Sequence, residues 1–500
     1  MCFVYSKQVL STHALFVPGE GCGLHTSECI PQISRAFSRF EISIKQKLRE
    51  GFHMKFSKNI ISTICIFITG LCLIATVSYC LTLEQGSIGH KLIIAGLLVL
   101  LATLGLFLLW HEGVDQNELL IMTSVLGLAM LVRILCLDYI SGDYSVFLSR
   151  WYVYFRDNGG FSALPGSVGN YNVPYLYFMA TISYFDIPDL YLIKLFSVSF
   201  DILLAWGGFR LTYILQEKTK GMVIPLITFT VMLFLPAVVI NGAYWGQCDA
   251  IYGALTLHAL AQLLEGKNKS SVALLAVAFS FKLQTIFLIP LWGVQWFAKR
   301  VKFWDLLVFP LTYGITIIPA LLLGKPLRDI LSIYSGQIGE YSSLTLNAPS
   351  IFQLIPYGIN VNDKLLSTLG IVCAAILVFL LFALGLWLGH RLNVQTIMTM
   401  AVALSIGVPF FLPHMHERYF FLADVFTICS ACTNFKRIPC AVLVCASSLA
   451  SYCVYLRLKY NYVVQLGNFQ FVMLLEMMAM LAGLVLSLII MFREVQHCSM

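Results

Sequence analysis

Long apolar runs recur along almost the whole chain, and they constrain its fold more than any other feature. Runs of about 20 apolar residues need a bilayer around them, since such lengths match the thickness of its hydrocarbon core. Over its 500 residues the chain is 59% hydrophobic and 11% charged, whereas soluble domains carry about 25% charged residues. The sequence therefore predicts an all-α fold, a polytopic bundle of membrane-spanning helices.

About fourteen runs qualify as spans, near 60–82, 91–110, 119–137, 190–215, 222–240, 249–265, 270–282, 284–298, 303–323, 365–389, 394–412, 419–433, 438–457 and 467–492. Basic residues collect in cytoplasmic loops. With Lys55 and Lys58 inside, strict alternation places the short basic loops in the cytoplasm, namely those with Lys218 and Lys220, Lys267 and Lys269, Lys299, Arg300 and Lys302, Arg391, and Lys436 and Arg437. The acidic loop 111–118 and the outer pair Arg457 and Lys459 do not fit. The net charge of +7 therefore gives no reason to expect nucleic acid as a partner.

The first 53 residues differ from the rest of the chain. They show no helical apolar period and no signal-peptide order of basic, apolar and small residues. Met54 begins a segment in which two lysines precede a span, as is typical of a start. We interpret residues 1–53 as a disordered tail or an over-extension of the reading frame, and we assign them no function.

Two apolar segments need a choice. Segment 171–185 is short for a span and contains Pro174, and counting it as a span would invert everything after it. We therefore predict a helix packed at the outer surface. Segment 271–297 is long enough for one span, but splitting it at Lys282 into two short helices returns the basic loop 298–302 to the inside.

This topology, derived from charge alone, sorts the unusual polar residues to one side of the membrane. Ionisable groups at membrane depth cost about 2.5–3.5 kcal/mol each on insertion scales, so they usually line a cavity or a pathway. The clusters on the outer side are 138–151, 169–177, 241–249, Lys282 with Gln284, and 414–418, together with the long segment 324–364. We interpret them as one polar site open to the outer leaflet.

Each candidate also has a structural interpretation. Asp143 is compatible with a solvated loop carboxylate, and Asp138 lies closer to the end of its span. Lys282 could snorkel to the interface, and Asp249 could cap the helix that follows it. For Arg133, inside a span, pairing with a nearby carboxylate or carbonyl is favoured over contact with a ligand.

Metal binding is the other alternative for the polar clusters. His414, His416 and Glu417 carry ligand atoms, but their spacing matches no strong zinc signature. The 15 cysteines are scattered along apolar segments without metal-type pairing, which favours packing over ligation or disulfides. We predict no metal and no other cofactor.

The polar segments together resemble a known enzyme family. Residues 141–151 (SGDYSVFLSRW) followed by 171–177 (YNVPYLY) resemble the first outer loop of the polyprenyl-phosphate-sugar-dependent glycosyltransferases of the GT-C fold, including the dolichyl-phosphate-glucose glucosyltransferases. Residues 240–257 resemble their second outer-loop region, 279–290 (FSFKLQTIFLIP) their lysine-containing helix break, and 414–425 (HMHERYFFLADV) their late His-x-His-Glu-basic motif. The chain is especially similar to bacterial membrane proteins related to the second GPI mannosyltransferase.

The resemblance runs in order from about 119 to 433. It implies a GT-C-type catalytic core there, with a large first outer loop that carries short surface helices. Two additional spans in 54–118 precede this core, and C-terminal spans in 434–500 follow it. Asn170 and Asn172 stand where many relatives have an acidic residue, so the resemblance supports no second carboxylate role in that loop.

The resemblance implies that the protein moves one hexose, mannose or glucose, from a polyprenyl-phosphate sugar to an acceptor hydroxyl, with inversion. Asp143 would be the base. The leaving phosphate needs fixed positive charge rather than an acid, for which Lys282, Arg418 and His416 are the candidates. Further substrate contacts are expected from Asp138, Tyr175, Gln247, Asp249, Gln284, His414 and Glu417, the last of which would orient Arg418 or a histidine. The expected partners are the donor, a lipid or glycan acceptor, and membrane lipid.

Two other functions use a similar bundle in the cell membrane. A flippase or transporter of lipid-linked sugars places polar groups near the midplane and often has repeated halves, whereas here the clusters lie at one face and no repeat is visible. A glycan polymerase or ligase also acts at the extracytoplasmic face, but it uses a diphosphate-linked donor. The sequence leaves the donor sugar, the acceptor, the linkage and the oligomeric state open.

Overall fold

A computed structural model of the protein describes five segments of the chain: residues 58–218, 221–337, 342–355, 361–456 and 469–499. Residues 1–53, for which we predict a tail or a wrong start, lie outside these segments, as do Lys220, Arg457 and Lys459. By its internal contacts the chain divides into residues 1–61 and 62–500. Everything that follows on packing concerns the second unit.

Helices account for most of the described chain. In order they are α1 (Lys58–Leu81), α2 (Ile88–His111), α3 (Gln116–Ile134), α4 (Ser149–Asp157), α5 (Val173–Ile182), α6 (Asp189–Leu215), α7 (Val223–Phe234), α8 (Pro236–Val239), α9 (Asp249–Leu264), α10 (Asn268–Phe281), α11 (Ile289–Phe297), α12 (Phe303–Leu306), α13 (Val308–Leu322), α14 (Leu327–Gln337), α15 (Asp363–Leu388), α16 (Val394–Phe411), α17 (Phe421–Thr433), α18 (Ile438–Leu456) and α19 (Phe469–Ser499). Two short parallel strands, β1 (Thr345–Leu346) and β2 (Met415–His416), pair with Thr345 opposite Met415.

Nine helical segments of the described chain are long and apolar enough to cross a membrane, and a tenth is added if the bent pair of α7 and the segment beginning with α8 counts as one span. Pro236 begins the second half of that pair, and proline accounts for the 46° bend between the halves. Large apolar side chains point outward, with Phe379 69% and Leu322 82% exposed. Such a surface suits lipid, and the predicted all-α membrane protein is confirmed.

The nine long segments coincide with nine of the predicted spans, and the remaining five are shorter or bent. α9 has 16 residues and α17 has 13, fewer than the roughly 20 that cross a bilayer unaided. The predicted span 222–240 is the bent pair, and the two halves of segment 271–297 are short helices. Fourteen spans therefore remain a prediction.

The helix break predicted at Lys282 is confirmed. α10 ends at Phe281, Lys282 adopts an extended backbone with φ −151° and ψ 132°, and a 3₁₀ turn (Leu283–Phe287) leads into α11. The Asn268 amide donates to the Arg300 carbonyl at 3.0 Å. Because that contact joins the start of α10 to the end of α11, the two short helices form a hairpin with Lys282 at its tip.

The large loop between α3 and α6 carries the short helices α4 and α5, as predicted. α5 has ten residues, too few to span a bilayer. The Asn172 side chain accepts from the Val173 amide at 2.8 Å and caps this helix. Asn172 also donates to the hydroxyls of Tyr313 and Tyr334 at 3.0 and 3.3 Å, so it ties the loop to α13 and α14.

Charged side chains also connect the C-terminal ends of α6 and α9. Glu265 pairs with Lys218 at 3.1 Å, with Lys267 at 2.9 Å and with Arg210 at 3.3 Å. Burial raises the pKa of Glu265, but the hydrogen bonds from Lys267 and Lys218 outweigh it and bring that pKa below its usual value. The two predicted cytoplasmic loops with Lys218 and Lys267 thus meet at one end of the bundle.

The sidedness of the membrane gives a first testable prediction. In a cysteine-free background, single cysteines at Met415 and Ser335 should react with an impermeant maleimide from outside. Cysteines at Lys218, Asn268 and Lys436 should react only after permeabilisation, because the basic loops are predicted to be cytoplasmic. Labelling of positions 218 and 415 from the same side would contradict the topology and the outer site together.

Candidate functional site

Asp143 is the carboxylate on which the candidate site converges. Its Oδ2 accepts from Trp245 Nε1 at 3.1 Å, from Gln247 Nε2, and from Arg418 Nη1 at 3.4 Å. Its Oδ1 accepts from the Tyr455 hydroxyl at 2.8 Å. The side chain is 14% exposed, so the alternative of a solvated loop carboxylate is wrong. Three other segments of the chain, at 245–247, Arg418 and Tyr455, contribute donors to this one group.

The backbone before Asp143 is held by Lys194, which the sequence analysis missed. Lys194 lies in α6 and is fully buried. Its Nζ donates to the carbonyls of Cys136 and Leu137 at 2.9 Å and of Tyr139 at 2.6 Å. Carbonyls after the end of a helix lack partners within it, and a cation stabilises them. A lysine inside the apolar run 190–215 was a signal that could have identified it.

Trp245 and Gln247 reach Asp143 from the segment after α8. A π-helical turn, Ile240–Trp245, ends at Gly246, whose φ of +83° favours glycine. Because of this turn, the side chains of Trp245 and Gln247, on either side of Gly246, both point at the Asp143 carboxylate. The Tyr171 hydroxyl in turn donates to Gln247 Oε1 at 3.3 Å. Burial raises the pKa of Tyr171 well above its usual value, which keeps it a neutral donor.

Lys282 forms a buried ion pair with Asp249, in which the two side chains are 6% and 0% exposed. Asp249 also accepts from the Asn241 amide at 2.6 Å. The Lys282 ammonium lies 5.7 Å from the ring centre of Tyr171 and 5.8 Å from that of Tyr252. Because it is buried, the alternative of a snorkelling Lys282 is wrong. Tyr171 thus contacts both this ion pair and the Gln247 that binds Asp143.

Arg418 lies between aromatic rings beside Asp143. Its guanidinium carbon is 5.5 Å from the ring centre of Trp245 and 5.9 Å from that of Tyr419. Its side chain is 13% exposed, and within the described chain its buried Nε has no hydrogen-bond partner. Buried donors are normally satisfied, so this nitrogen is available to an anionic ligand.

Glu417 precedes Arg418 and is 1% exposed. Its carboxylate oxygens lie 3.8 Å from His416 Nδ1 and 3.8 Å from Arg418 Nη1. Neither oxygen accepts a hydrogen bond from the residues that the structure describes. Glu417 thus lies between His416 and Arg418 without a hydrogen bond to either. The orienting role predicted for it stays a prediction.

The remaining predicted site residues serve different contacts. His414 has φ +61°, its backbone amide donates to the Leu344 carbonyl at 2.8 Å, and its Nδ1 lies 2.8 Å from the Ser343 carbonyl. His414 therefore docks the segment that contains β1. The structure shows for it no hydrogen bond to Asp143 within the described chain.

Asp138 likewise connects loops. Its Oδ1 accepts from the Tyr191 hydroxyl at 2.6 Å and from the Glu84 amide at 3.2 Å. These two hydrogen bonds join the end of α3 to the α1–α2 connection and to α6. The contacts fit the structural interpretation of Asp138, and binding of substrate by it stays a prediction.

Tyr175 and Gln284 are buried around the same centre. The Tyr175 ring packs edge-on against Tyr171 with centres 4.9 Å apart, behind the ring that Lys282 contacts. Gln284 is 6% exposed and lies in the 3₁₀ turn that follows Lys282. Both are therefore buried on the side of the site where Lys282 lies.

The structure adds two residues from outside the predicted core. Tyr455, in α18, stacks on Trp245 with ring centres 4.8 Å apart, and Tyr452, one turn earlier, packs edge-on against Trp245 at 5.5 Å. Both lie in the region 434–500, for which we predict C-terminal spans. No local pattern distinguishes them from interfacial aromatic residues, so only the packing identifies them.

An apolar groove lies beside the Lys282 turn. It has a volume of about 370 Å³, and residues that line it include Leu275, Ile286, Ile289, Trp292, Phe309 and Phe382. Ile286 and Ile289 follow Lys282 within seven residues along the chain. The groove therefore extends from the turn after Lys282 between α10, α11, α13 and α15.

Arg133, a charged residue inside the predicted span 119–137, has the carboxylate partner that we expected. Its Nε and Nη2 lie 2.9 Å from Asp201 Oδ2, and both side chains are fully buried. Within the described chain, no group of three or more His, Cys, Asp or Glu side chains is placed to hold a metal ion.

Comparison with known proteins finds no family model that matches the chain and no match among curated proteins. The arguments on function therefore rest on the motifs of the sequence and on the contacts around Asp143.

Proposed function

We propose that the protein is an inverting glycosyltransferase that moves a hexose from a polyprenyl-phosphate sugar to an acceptor hydroxyl. The supporting observation is the convergence of donors from three other chain segments on one carboxylate, Asp143, with the guanidinium of Arg418 among them. Such a site combines a general base with fixed positive charge. Mannose and glucose are the candidate sugars, and the site would face the extracytoplasmic side of the cell membrane.

The proposed reaction is one displacement at the anomeric carbon. Asp143 takes the proton of the acceptor hydroxyl while the acceptor oxygen bonds to that carbon. The bond from the carbon to the phosphate oxygen breaks, and its electron pair leaves with polyprenyl phosphate. Because attack and departure take place on opposite faces, the configuration inverts. The departing phosphate is a stable anion, so the step needs positive charge rather than an acid.

Positive charge for the phosphate would come from Arg418 and Lys282. Arginine has five N–H donors in a planar fork that suits phosphate, and the buried Nε of Arg418 has no partner among the described residues. Lys282 has three donors, of which Asp249 engages one. The opposing carboxylates keep both cations in place before the donor binds.

The polyprenyl tail of the donor needs an apolar surface. The groove beside the Lys282 turn is lined by apolar side chains and has a volume of about 370 Å³. Ile286, which lines it, follows Lys282 by four residues along the chain. We assign the groove to the first part of the polyprenyl chain. Its apolar lining supports a lipid-linked donor over a soluble nucleotide sugar.

The test uses purified protein and radiolabelled polyprenyl-phosphate mannose or glucose, with a membrane lipid extract as the source of acceptor. We expect release of polyprenyl phosphate and a new labelled product, both dependent on Asp143. In proteoliposomes, movement of label across the membrane without a new product would show a flippase or transporter instead. Activity only with a diphosphate-linked donor would show a polymerase or ligase.

Arg418→Ala should raise the KM for the donor and slow transfer. Loss of a charge-assisted hydrogen bond to a buried anion costs about 1.5–3 kcal/mol, or roughly ten- to a hundredfold in kcat/KM. Arg418→Lys should recover part of the loss, because the charge remains and the fork is lost. The control is Arg150→Ala, an exposed residue of α4. Unchanged donor kinetics in Arg418→Ala would remove Arg418 from the site.

A further inference from the structure

The two oxygens of Asp143 have different surroundings. Trp245, Gln247 and Arg418 all donate to Oδ2, whereas the Tyr455 hydroxyl donates to Oδ1. A carboxylate oxygen has about two lone-pair sites, so three donors saturate Oδ2. Oδ1 accepts a hydrogen bond from Tyr455 alone among the described residues, so it is the oxygen with capacity for another hydroxyl.

Tyr455 also differs in exposure from the ring beneath it. Trp245 is fully buried, while Tyr455 is 36% exposed and stacks on it. Tyr455 is therefore the most exposed of the four donors to Asp143 and forms the exposed side of this cluster. Its phenol donates an O–H at 2.8 Å, which lies within the range of about 2.6–3.2 Å that a base needs from the hydroxyl it deprotonates.

We propose that Oδ1 of Asp143 is the atom that takes the acceptor's proton, and that the Tyr455 hydroxyl occupies the position of the acceptor hydroxyl until an acceptor alcohol displaces it. The inference rests on the proposed function. It assigns Tyr455 as a residue that excludes water from the base, because its phenol stands on the exposed side of Asp143 and already forms a hydrogen bond to Oδ1. Without an acceptor, the donor is protected from hydrolysis.

Water serves as the probe, since it is the smallest acceptor. A water molecule gives one proton to Oδ1, its oxygen bonds to the anomeric carbon, and polyprenyl phosphate leaves with the electron pair of the broken bond. The experiment measures the release of free hexose from labelled polyprenyl-phosphate mannose and glucose by the full chain in detergent. Transfer to octyl mannoside and octyl glucoside, as alcohol probes, is measured in parallel.

Tyr455→Phe keeps the ring and its stacking but removes the hydroxyl. We expect its rate of donor hydrolysis to rise roughly three- to tenfold, because water then hydrates Oδ1. This increase is part of the roughly ten- to hundredfold that a hydrogen bond to a charged group represents. The KM for the alcohol probe should fall by a similar factor, with the donor KM unchanged. Tyr79→Phe, which removes the hydroxyl of an exposed tyrosine in α1, is the matched control and should stay within about twofold of the unmodified protein.

The outcomes separate the two proposals. A hydrolysis rate in Tyr455→Phe that is equal to or below that of the unmodified protein overturns the assignment of Oδ1, and it shows that Tyr455 acts by positioning Asp143. Equal rates in the unmodified protein and in Asp143→Asn, for hydrolysis and for transfer, overturn the proposed function itself. The unchanged donor KM serves as the check that Tyr455→Phe folds.

Discussion

Asp143→Asn should lower transfer in a single turnover by about 10²–10⁴, the usual contribution of a general base, while the donor still binds. Asparagine can keep the hydrogen bonds that Asp143 makes at this site. With the amide oxygen at the position of Oδ2, the donors from Trp245, Gln247 and Arg418 keep their acceptor. The amide nitrogen then faces Tyr455, whose hydroxyl can accept as well as donate. Shape and contacts survive, and the proton acceptor is lost.

The measurement is transfer at saturating donor, with donor affinity determined separately and folding checked by monodisperse elution in detergent. Asp138→Asn is the matched control, because Asp138 binds Tyr191 and the Glu84 amide and should lose less transfer. If Asp143→Asn keeps most of its rate while Asp138→Asn loses it, the base is misassigned. If neither variant changes transfer, the protein is not this kind of enzyme.

Lys282→Ala should have the largest effect on stability. The substitution leaves Asp249, which is fully buried, without its counter-charge. Breaking a buried ion pair by removal of one partner costs about 3–5 kcal/mol in unfolding free energy. The same variant should bind donor more weakly, since one of the two cations proposed for the phosphate is gone. Thermal unfolding in detergent and donor KM report these two effects separately.

A second substitution distinguishes the structural contribution of Lys282 from its role with the donor. In Lys282→Met with Asp249→Asn the buried charge is removed on both sides, and replacement of a buried pair by neutral groups is often neutral or stabilising. The double variant should therefore regain stability but not donor affinity. Recovery of both would show that Lys282 only balances Asp249, and full stability of Lys282→Ala would contradict the buried pair itself.

The sequence by itself determined the class of fold and the positions of the long helices. A helix satisfies its own backbone hydrogen bonds, and the bilayer sets its length, so a span is a local property of about 20 residues. For the same reason the break at Lys282 and the short helix α5 could be predicted from the residues around them. The roles expected for Asp143, Lys282 and Arg418 came from motifs, and they remain proposals.

The tertiary structure alone decided which side chains meet. Asp143 and Tyr455 are 312 residues apart, and Lys282 and Asp249 are 33 apart. Lys194 reaches the carbonyls after α3 only because α6 packs there. The order of apolar runs does not specify which helices become neighbours or which faces they share. Those choices depend on side-chain packing summed over the whole bundle. For this reason α18, which precedes the last helix, contributes Tyr455 to a candidate site that the sequence had placed entirely before residue 434.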